Sequence, residues 1–87
     1  MARLAYWRTA SQLEVDFIIG DHEVALEIKT AKNVTPFHLK GLKAFSEEYA
    51  TKQNIVISLD PRPRLLDNIN ILPWQEFLER LWDGQII

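Results

Sequence analysis

A hairpin signature between Glu14 and Thr30 limits this chain to folds that contain an antiparallel pair of β-strands. The stretch reads EVDFIIGDHEVALEIKT, and hydrophobic residues largely alternate with other residues on both sides of the polar segment GDHE. Such alternation predicts two strands joined by a tight turn. If Gly20 pairs with Glu23 across a two-residue turn, the register of the whole pair follows, because the side-chain period of a strand is two.

This register predicts two faces of different character. One face is wholly apolar and is predicted to be core: Ile19 lies opposite Val24, Phe17 opposite Leu26, and Val15 opposite Ile28. The other face carries Ile18 opposite Ala25, Asp16 opposite Glu27, and Glu14 opposite Lys29. Acidic residues are poor strand formers, and two carboxylates that directly oppose each other repel. The pairing of Asp16 with Glu27 therefore calls for a reason other than stability.

Two interpretations of this polar face remain open. Two carboxylates beside a lysine are suited to a divalent cation, since Mg²⁺ prefers hard oxygen ligands and Lys29 could stabilise charge on a phosphate. A metal at Asp16 and Glu27 could activate water for attack on a phosphodiester. The alternative is a solvated face on which Glu14 and Lys29 form a cross-strand ion pair and the repulsion between the carboxylates is tolerated.

The rest of the chain predicts three more strands and two helices. Strands are expected over residues 4–8, 54–59 and 68–72, in addition to 13–19 and 24–31 of the hairpin. The pair Thr35-Pro36 is a helix start, and that helix should run to about residue 51 with one apolar face, formed by Leu39, Leu42, Phe45 and Tyr49. A second helix should run from Pro73 to about Trp82, with Trp74, Phe77 and Leu81 in the core. The order β-β-β-α-β-β-α predicts a mixed sheet in an α/β layer fold.

Composition narrows the class of protein further. With 87 residues the chain is expected to be a single domain, spanning residues 1–87. The net charge of −2 argues against a strongly basic nucleic-acid module, although a local basic patch is compatible with it. There is no cysteine, which excludes disulfides and thiolate metal sites. No signal peptide or membrane-spanning run is visible, so we expect a cytoplasmic protein with no membrane contact.

The arrangement Asp16…Glu27-Ile28-Lys29 resembles the core motif of the PD-(D/E)xK nucleases. More narrowly, YWRTASQLEVDFII followed by ALEIKTAKNVTPFHLKGLKAF is similar to the C-terminal domain, of unknown function, of a family of prokaryotic AAA-type ATPases. The resemblance implies a restriction-endonuclease-like mixed β-sheet that here lacks the usual N-terminal core helix. It also implies that the chain is the C-terminal fragment of a larger ATPase, since no G-x-x-x-x-G-K-[ST] motif occurs in it.

Carried over residue by residue, the resemblance implies a catalytic site for DNA phosphodiester hydrolysis. Asp16 and Glu27 would be ligands of Mg²⁺ or Mn²⁺, the Ile28 carbonyl a third ligand, and Lys29 the catalytic lysine. Glu14 would be an additional acidic residue close to the metal. The alternative is a catalytically inactive module of the same fold that binds DNA or protein and regulates the ATPase domain of its parent protein.

A group of basic residues follows the third strand. Lys32, His38 and Lys40 are candidates for binding the DNA backbone, and the start of the helix could assist them through its free N–H groups. The alternative is the ordinary solvated face of an amphipathic helix. Arg62 and Arg64 are expected in a solubilising loop, because two prolines there would interrupt a strand. If the N-terminal core helix is missing, one sheet face is uncovered, which predicts self-association as a homo-oligomer.

Overall fold

The computed structural model of the chain describes residues 4–8, 14–20, 23–31 and 33–86. Within these ranges the chain forms six strands, one short 3₁₀ helix and two α-helices. The strands are β1 (Leu4–Arg8), β2 (Glu14–Ile19), β3 (Val24–Ile28), β4 (Gln53–Ser58), β5 (Arg64–Leu66) and β6 (Ile69–Pro73). The 3₁₀ helix (Pro36–Leu39) leads directly into α1 (Lys40–Glu48), and α2 (Trp74–Trp82) follows β6.

The strands form one mixed sheet in the order β1-β2-β3-β4-β6-β5. The pairs β3–β4 and β4–β6 are parallel, and the other neighbours are antiparallel. This confirms the predicted α/β class and the mixed sheet. The element order differs from the predicted one, because β5 is an extra strand at the edge of the sheet.

Strand β5 forms although two prolines precede it. It begins at Arg64, just after Pro63, and pairs antiparallel with β6 through a two-residue loop, Asp67-Asn68. Both loop residues have positive φ angles, 51° and 64°, as a type I′ hairpin turn requires. Asp and Asn tolerate that conformation better than most residues, so this dipeptide was the signal for a hairpin that the sequence prediction overlooked.

The predicted register of the β2–β3 hairpin is confirmed close to its turn. Phe17 pairs with Leu26, Ile18 with Ala25, and Ile19 with Val24. The chain enters the turn through Gly20, whose φ of +73° lies in the left-handed region that favours glycine. The described ladder pairs end at Ile19 and Val24, and the Glu23 N–H donates to the Ile19 carbonyl at 3.2 Å, so the supposed pair of Gly20 with Glu23 is not formed. Asp21 and His22 lie outside the described residues.

Both faces of the sheet are core, which corrects the expectation of one core face and one polar face. On one face, Leu39 of the 3₁₀ helix and Leu42 and Phe45 of α1 are buried against the sheet. Ile18 and Ala25 belong to this same cluster, although the predicted register places them on the polar face. On the other face, α2 contributes Phe77 to a second cluster, which contains Leu26, Ile55 and Leu72.

The two helices agree with the prediction in position but not in every detail. Helix α1 ends at Glu48 rather than near residue 51, because Tyr49 is already extended, with φ −129° and ψ 136°. In α2, Phe77 is buried and Leu81 is partly buried, whereas Trp74 is about half exposed and is not a core residue. In the part of the chain that the structure describes, no helix is long and apolar enough to cross a membrane.

Candidate functional site

A β-bulge in β2 positions Asp16. Tyr6 of β1 lies opposite both Asp16 and Phe17, because the register between the two strands shifts at this point. Such an extra residue bends a strand and redirects its side chains. Val15 and Ile18 consequently pack into the same cluster around α1, although an unbroken strand would place them on opposite faces.

The bulge overturns part of the predicted pairing. Val15 packs in the cluster around α1 and is not opposite Ile28. Ile28 is 49% exposed and is therefore not a core residue. Asp16 is also not a ladder partner of Glu27; the described pairs between β2 and β3 end at Phe17 and Leu26. The ladder between the two strands therefore ends before the acidic residues.

Asp16 instead contacts β3 through its side chain. The Ile28 N–H donates a hydrogen bond of 2.8 Å to Oδ2 of Asp16, so the carboxylate takes the place of a main-chain acceptor. This bond holds the Asp16 carboxylate beside the peptide that joins Glu27 to Ile28. The N–H and C=O of a strand residue point to the same side, and the Ile28 carbonyl therefore also faces β2.

Glu27 is a buried carboxylate at the end of β3. It is 4% exposed and pairs with Val56 of β4, on the face that α1 covers. An ionised carboxylate is costly to bury unless a charge or hydrogen-bond donors compensate it. Lys29 provides such a charge, because its ammonium lies 3.6 Å from Oε1 of Glu27. The Lys29 N–H donates to the Ile57 carbonyl at 2.9 Å, which extends the β3–β4 ladder by one residue and fixes the lysine backbone.

The structure thus brings together Asp16, Glu27, Ile28 and Lys29 at the end of β3. The Lys29 ammonium forms its described ion pair with Glu27. The backbone of Glu14 pairs with Arg8 of β1, and its side chain lies outside what the structure describes. Among the described residues there is no group of three or more Asp, Glu, His or Cys side chains that could hold a metal. A metal here would have two carboxylates and a carbonyl as protein ligands.

The candidate DNA-binding residues after β3 have local contacts. Nδ1 of His38 accepts the Thr35 N–H at 2.9 Å and so caps the 3₁₀ helix. The Lys40 ammonium lies 4.7 Å from the centroid of the Phe37 ring. Lys32 lies outside the described residues. The helix N-terminus and the end of β3 lie at the same edge of the sheet, because α1 connects the parallel strands β3 and β4.

A buried polar network that the sequence prediction missed connects two loops at this edge. Oδ2 of Asp60 accepts the Ser58 hydroxyl at 2.9 Å and the Val34 N–H at 3.3 Å. Arg64 lies 3.3 Å from Oδ1 of Asp60 and donates to the Val34 carbonyl at 2.7 Å. Arg64 is therefore a structural residue rather than a solubilising one. An aspartate directly after the largely apolar run NIVISL was the signal for this network.

Replacing Asp60 by alanine should lower the free energy of unfolding by about 1–3 kcal/mol, because two buried donors, the Ser58 hydroxyl and the Val34 N–H, would lose their acceptor and the partly buried Arg64 would lose its carboxylate. Urea denaturation followed by tryptophan fluorescence measures the change. The matched control is Asp67→Asn, which removes the exposed ion pair with Lys43 and should cost less than about 1 kcal/mol. Equal losses in the two variants would show that the Asp60 network contributes no more than a surface pair.

Comparison with known proteins identifies the family. Residues 1–77 match the model of a family described as "Domain of unknown function (DUF4143)". No curated protein and no solved structure matches the chain. The match includes all residues of the candidate site and extends to Phe77 in α2. Because it covers most of the 87 residues, the chain belongs to the DUF4143 family.

Proposed function

We propose that this chain is a PD-(D/E)xK-type nuclease domain that hydrolyses DNA phosphodiesters with Mg²⁺ or Mn²⁺. The observation that carries the proposal is the hydrogen bond between the Asp16 carboxylate and the Ile28 N–H. It places the Asp16 carboxylate next to Glu27, which bears the second carboxylate. The Asp16 carboxylate also lies on the side of β3 to which the Ile28 carbonyl points. Mg²⁺ sites commonly use one or two carboxylates and leave other positions to water and phosphate oxygens.

The charges of the site support the same function. The ionised side chains of Asp16, Glu27 and Lys29 carry one net negative charge, which attracts a divalent cation. With the cation bound, the net charge would become positive and would favour a phosphodiester. The Lys29 ammonium, now 3.6 Å from Glu27, would be released from charge compensation and could contact a phosphate oxygen.

Each residue then has a defined role. Asp16 and Glu27 would hold the metal, and the Ile28 N–H orients the Asp16 carboxylate. The metal would supply a water of lowered pKa and polarise the phosphate. Lys29 stabilises the negative charge that develops on the phosphate during attack. The AAA-type ATPase parent is also a proposal, and it rests on the sequence resemblance over residues 6–45.

A titration with Mn²⁺ or Mg²⁺, followed by calorimetry, tests the metal site. We expect wild-type protein to bind the metal and Asp16→Asn to bind it at least about tenfold more weakly, since even residues outside the ligand shell change metal affinity 10–100-fold. The asparagine oxygen can still accept the Ile28 N–H, so the substitution removes charge while it keeps the backbone contact. Glu47→Gln, on the exposed side of α1, is the control. Unchanged affinity in Asp16→Asn would contradict the proposed site.

A second candidate function is a catalytically inactive module that binds DNA. The exposed ring of Phe37, which is 71% exposed, and the Lys40 ammonium above it form a surface on which a nucleobase could stack. His38 lies beside this ring, with the centroids 6.2 Å apart. DNA binding that needs Phe37 but no metal would favour this second function over the nuclease.

A further inference from the structure

Helix α2 exposes a row of large apolar side chains. Trp74, Leu78 and Trp82 are spaced by four residues and therefore lie along one side of the helix. Trp74 and Leu78 are about half exposed, and Trp82 is 91% exposed. Phe77 is buried in the core, so the helix is anchored with this row directed outward. We call the three residues the α2 ridge. Exposed apolar surfaces of this kind mark interaction sites.

A pocket adjoins the C-terminal half of the ridge. It has a volume of about 650 Å³, and its lining comprises Leu78, Leu81 and Trp82 together with two acidic residues, Glu79 and Asp83. Among the residues that the structure describes, neither acidic side chain forms an ion pair, whereas Glu76 of the same helix is paired with Arg80 at 3.1 Å. An apolar pocket is thus combined with two carboxylates that form no ion pair within the described part of the chain.

We propose that the α2 ridge and its pocket bind a segment of another protein that combines apolar side chains with lysine or arginine. The apolar side chains would cover Leu78 and Trp82, and a tryptophan of this exposure offers roughly 200 Å² for burial. The basic side chains would pair with Glu79 and Asp83. An apolar groove that receives the apolar face of an amphipathic helix is a common mode of peptide recognition.

The same charges disfavour other occupants. Carboxylates at the pocket repel anionic lipid headgroups and the phosphates of nucleic acids. A second copy of the chain would bring Glu79 and Asp83 of two identical helices close together, which is unfavourable for association. The inference does not depend on the nuclease proposal, because none of its residues belongs to the candidate metal site. Leu78 and Trp82 also lie beyond the residues that match the family model.

Binding of two model peptides to the whole chain tests this inference. The probe is a labelled, 14-residue amphipathic peptide of leucine and lysine, and its counterpart has glutamate in place of every lysine. In fluorescence anisotropy, we expect the lysine peptide to bind at least about tenfold more tightly than the glutamate peptide. Trp82→Ala should lower the affinity for the lysine peptide at least about 30-fold, as expected for a tryptophan at the centre of an interface. Because Trp82 is so exposed, this variant should keep the wild-type melting temperature.

A charge exchange with a matched control makes the test specific. The double variant Glu79→Lys/Asp83→Lys should reverse the preference between the peptides. The control Glu47→Lys/Glu48→Lys changes the net charge equally on the exposed side of α1 and should leave the preference as in the wild type. An equal effect of the two double variants would overturn the proposal in favour of nonspecific attraction. A concentration-dependent dimer that Trp82→Ala abolishes would overturn it in favour of a second copy.

Discussion

Replacing Lys29 by alanine is expected to slow Mg²⁺-dependent nicking of plasmid DNA by about 10²–10³-fold, the usual cost of removing one preorganised charge-stabilising group. The Lys29 ammonium is the cation that lies 3.6 Å from Glu27, and its backbone is held by the hydrogen bond to Ile57. Loss of the side chain should therefore remove charge stabilisation without moving β3. Conversion of supercoiled to nicked plasmid, followed on agarose gels, measures the rate.

Two controls separate catalysis from contamination and from misfolding. Lys52→Ala removes an exposed lysine that pairs with Glu23 at 3.4 Å, near the start of β4, and should nick as fast as wild type. Circular dichroism should show the same secondary structure for all variants. If Lys29→Ala nicks as fast as wild type, the activity comes from another nuclease. If wild-type protein binds metal but does not nick DNA, the inactive DNA- or protein-binding module is the better proposal.

Replacing Phe45 by alanine should lower the free energy of unfolding by about 3–5 kcal/mol, which is the cost of removing a large aromatic side chain from a core. Phe45 is fully buried between two other aromatic rings. Its centroid lies 5.3 Å from that of Trp7, in an edge-to-face arrangement, and 4.8 Å from that of Tyr49. Since small domains have only about 5–15 kcal/mol of stability, much of this variant's stability would be lost.

Phe37→Ala is the matched control for Phe45→Ala, because it removes the same side chain from an exposed position. It should cost less than about 1 kcal/mol, including the contact with Lys40. Urea denaturation of both variants, read by tryptophan fluorescence, gives the comparison. Similar losses would mean that α1 is not packed on the sheet as described, and that the cluster around Phe45 is not the principal core.

The candidate site shows where prediction from the sequence succeeds and where it stops. The two alternating runs around Gly20 predicted the register correctly up to the pair Phe17–Leu26, since that register depends on the turn and the side-chain period alone. The predicted pairing of Asp16 with Glu27 is wrong, because β2 is not a regular strand at this point. The bulge against Tyr6 arises from pairing with β1, which the hairpin sequence does not specify.

The basic residues after β3 illustrate a second limit. The charge of His38 and Lys40 and their position at the start of a helix predict a DNA-binding role for them. Their contacts with Thr35 and Phe37 depend on the precise path of the 3₁₀ turn, which no pattern in the sequence specifies. The Asp60 network was missed for a related reason, because Val34 and Asp60 are far apart in the chain and meet only when β3 and β4 pair.

The amino-acid pattern alone determined the features that depend on local chemistry. These are the hairpin turn at Gly20, the helix start at Thr35-Pro36 and the apolar face of α1, each of which follows from side-chain period or backbone preference. Only the packed structure decided which side chains remain accessible on the sheet and on α2. Asp16 reaches the Ile28 N–H because the bulge redirects it, and Trp82 stays exposed because α2 packs through Phe77. These outcomes depend on contacts between segments distant in sequence, which no local rule contains.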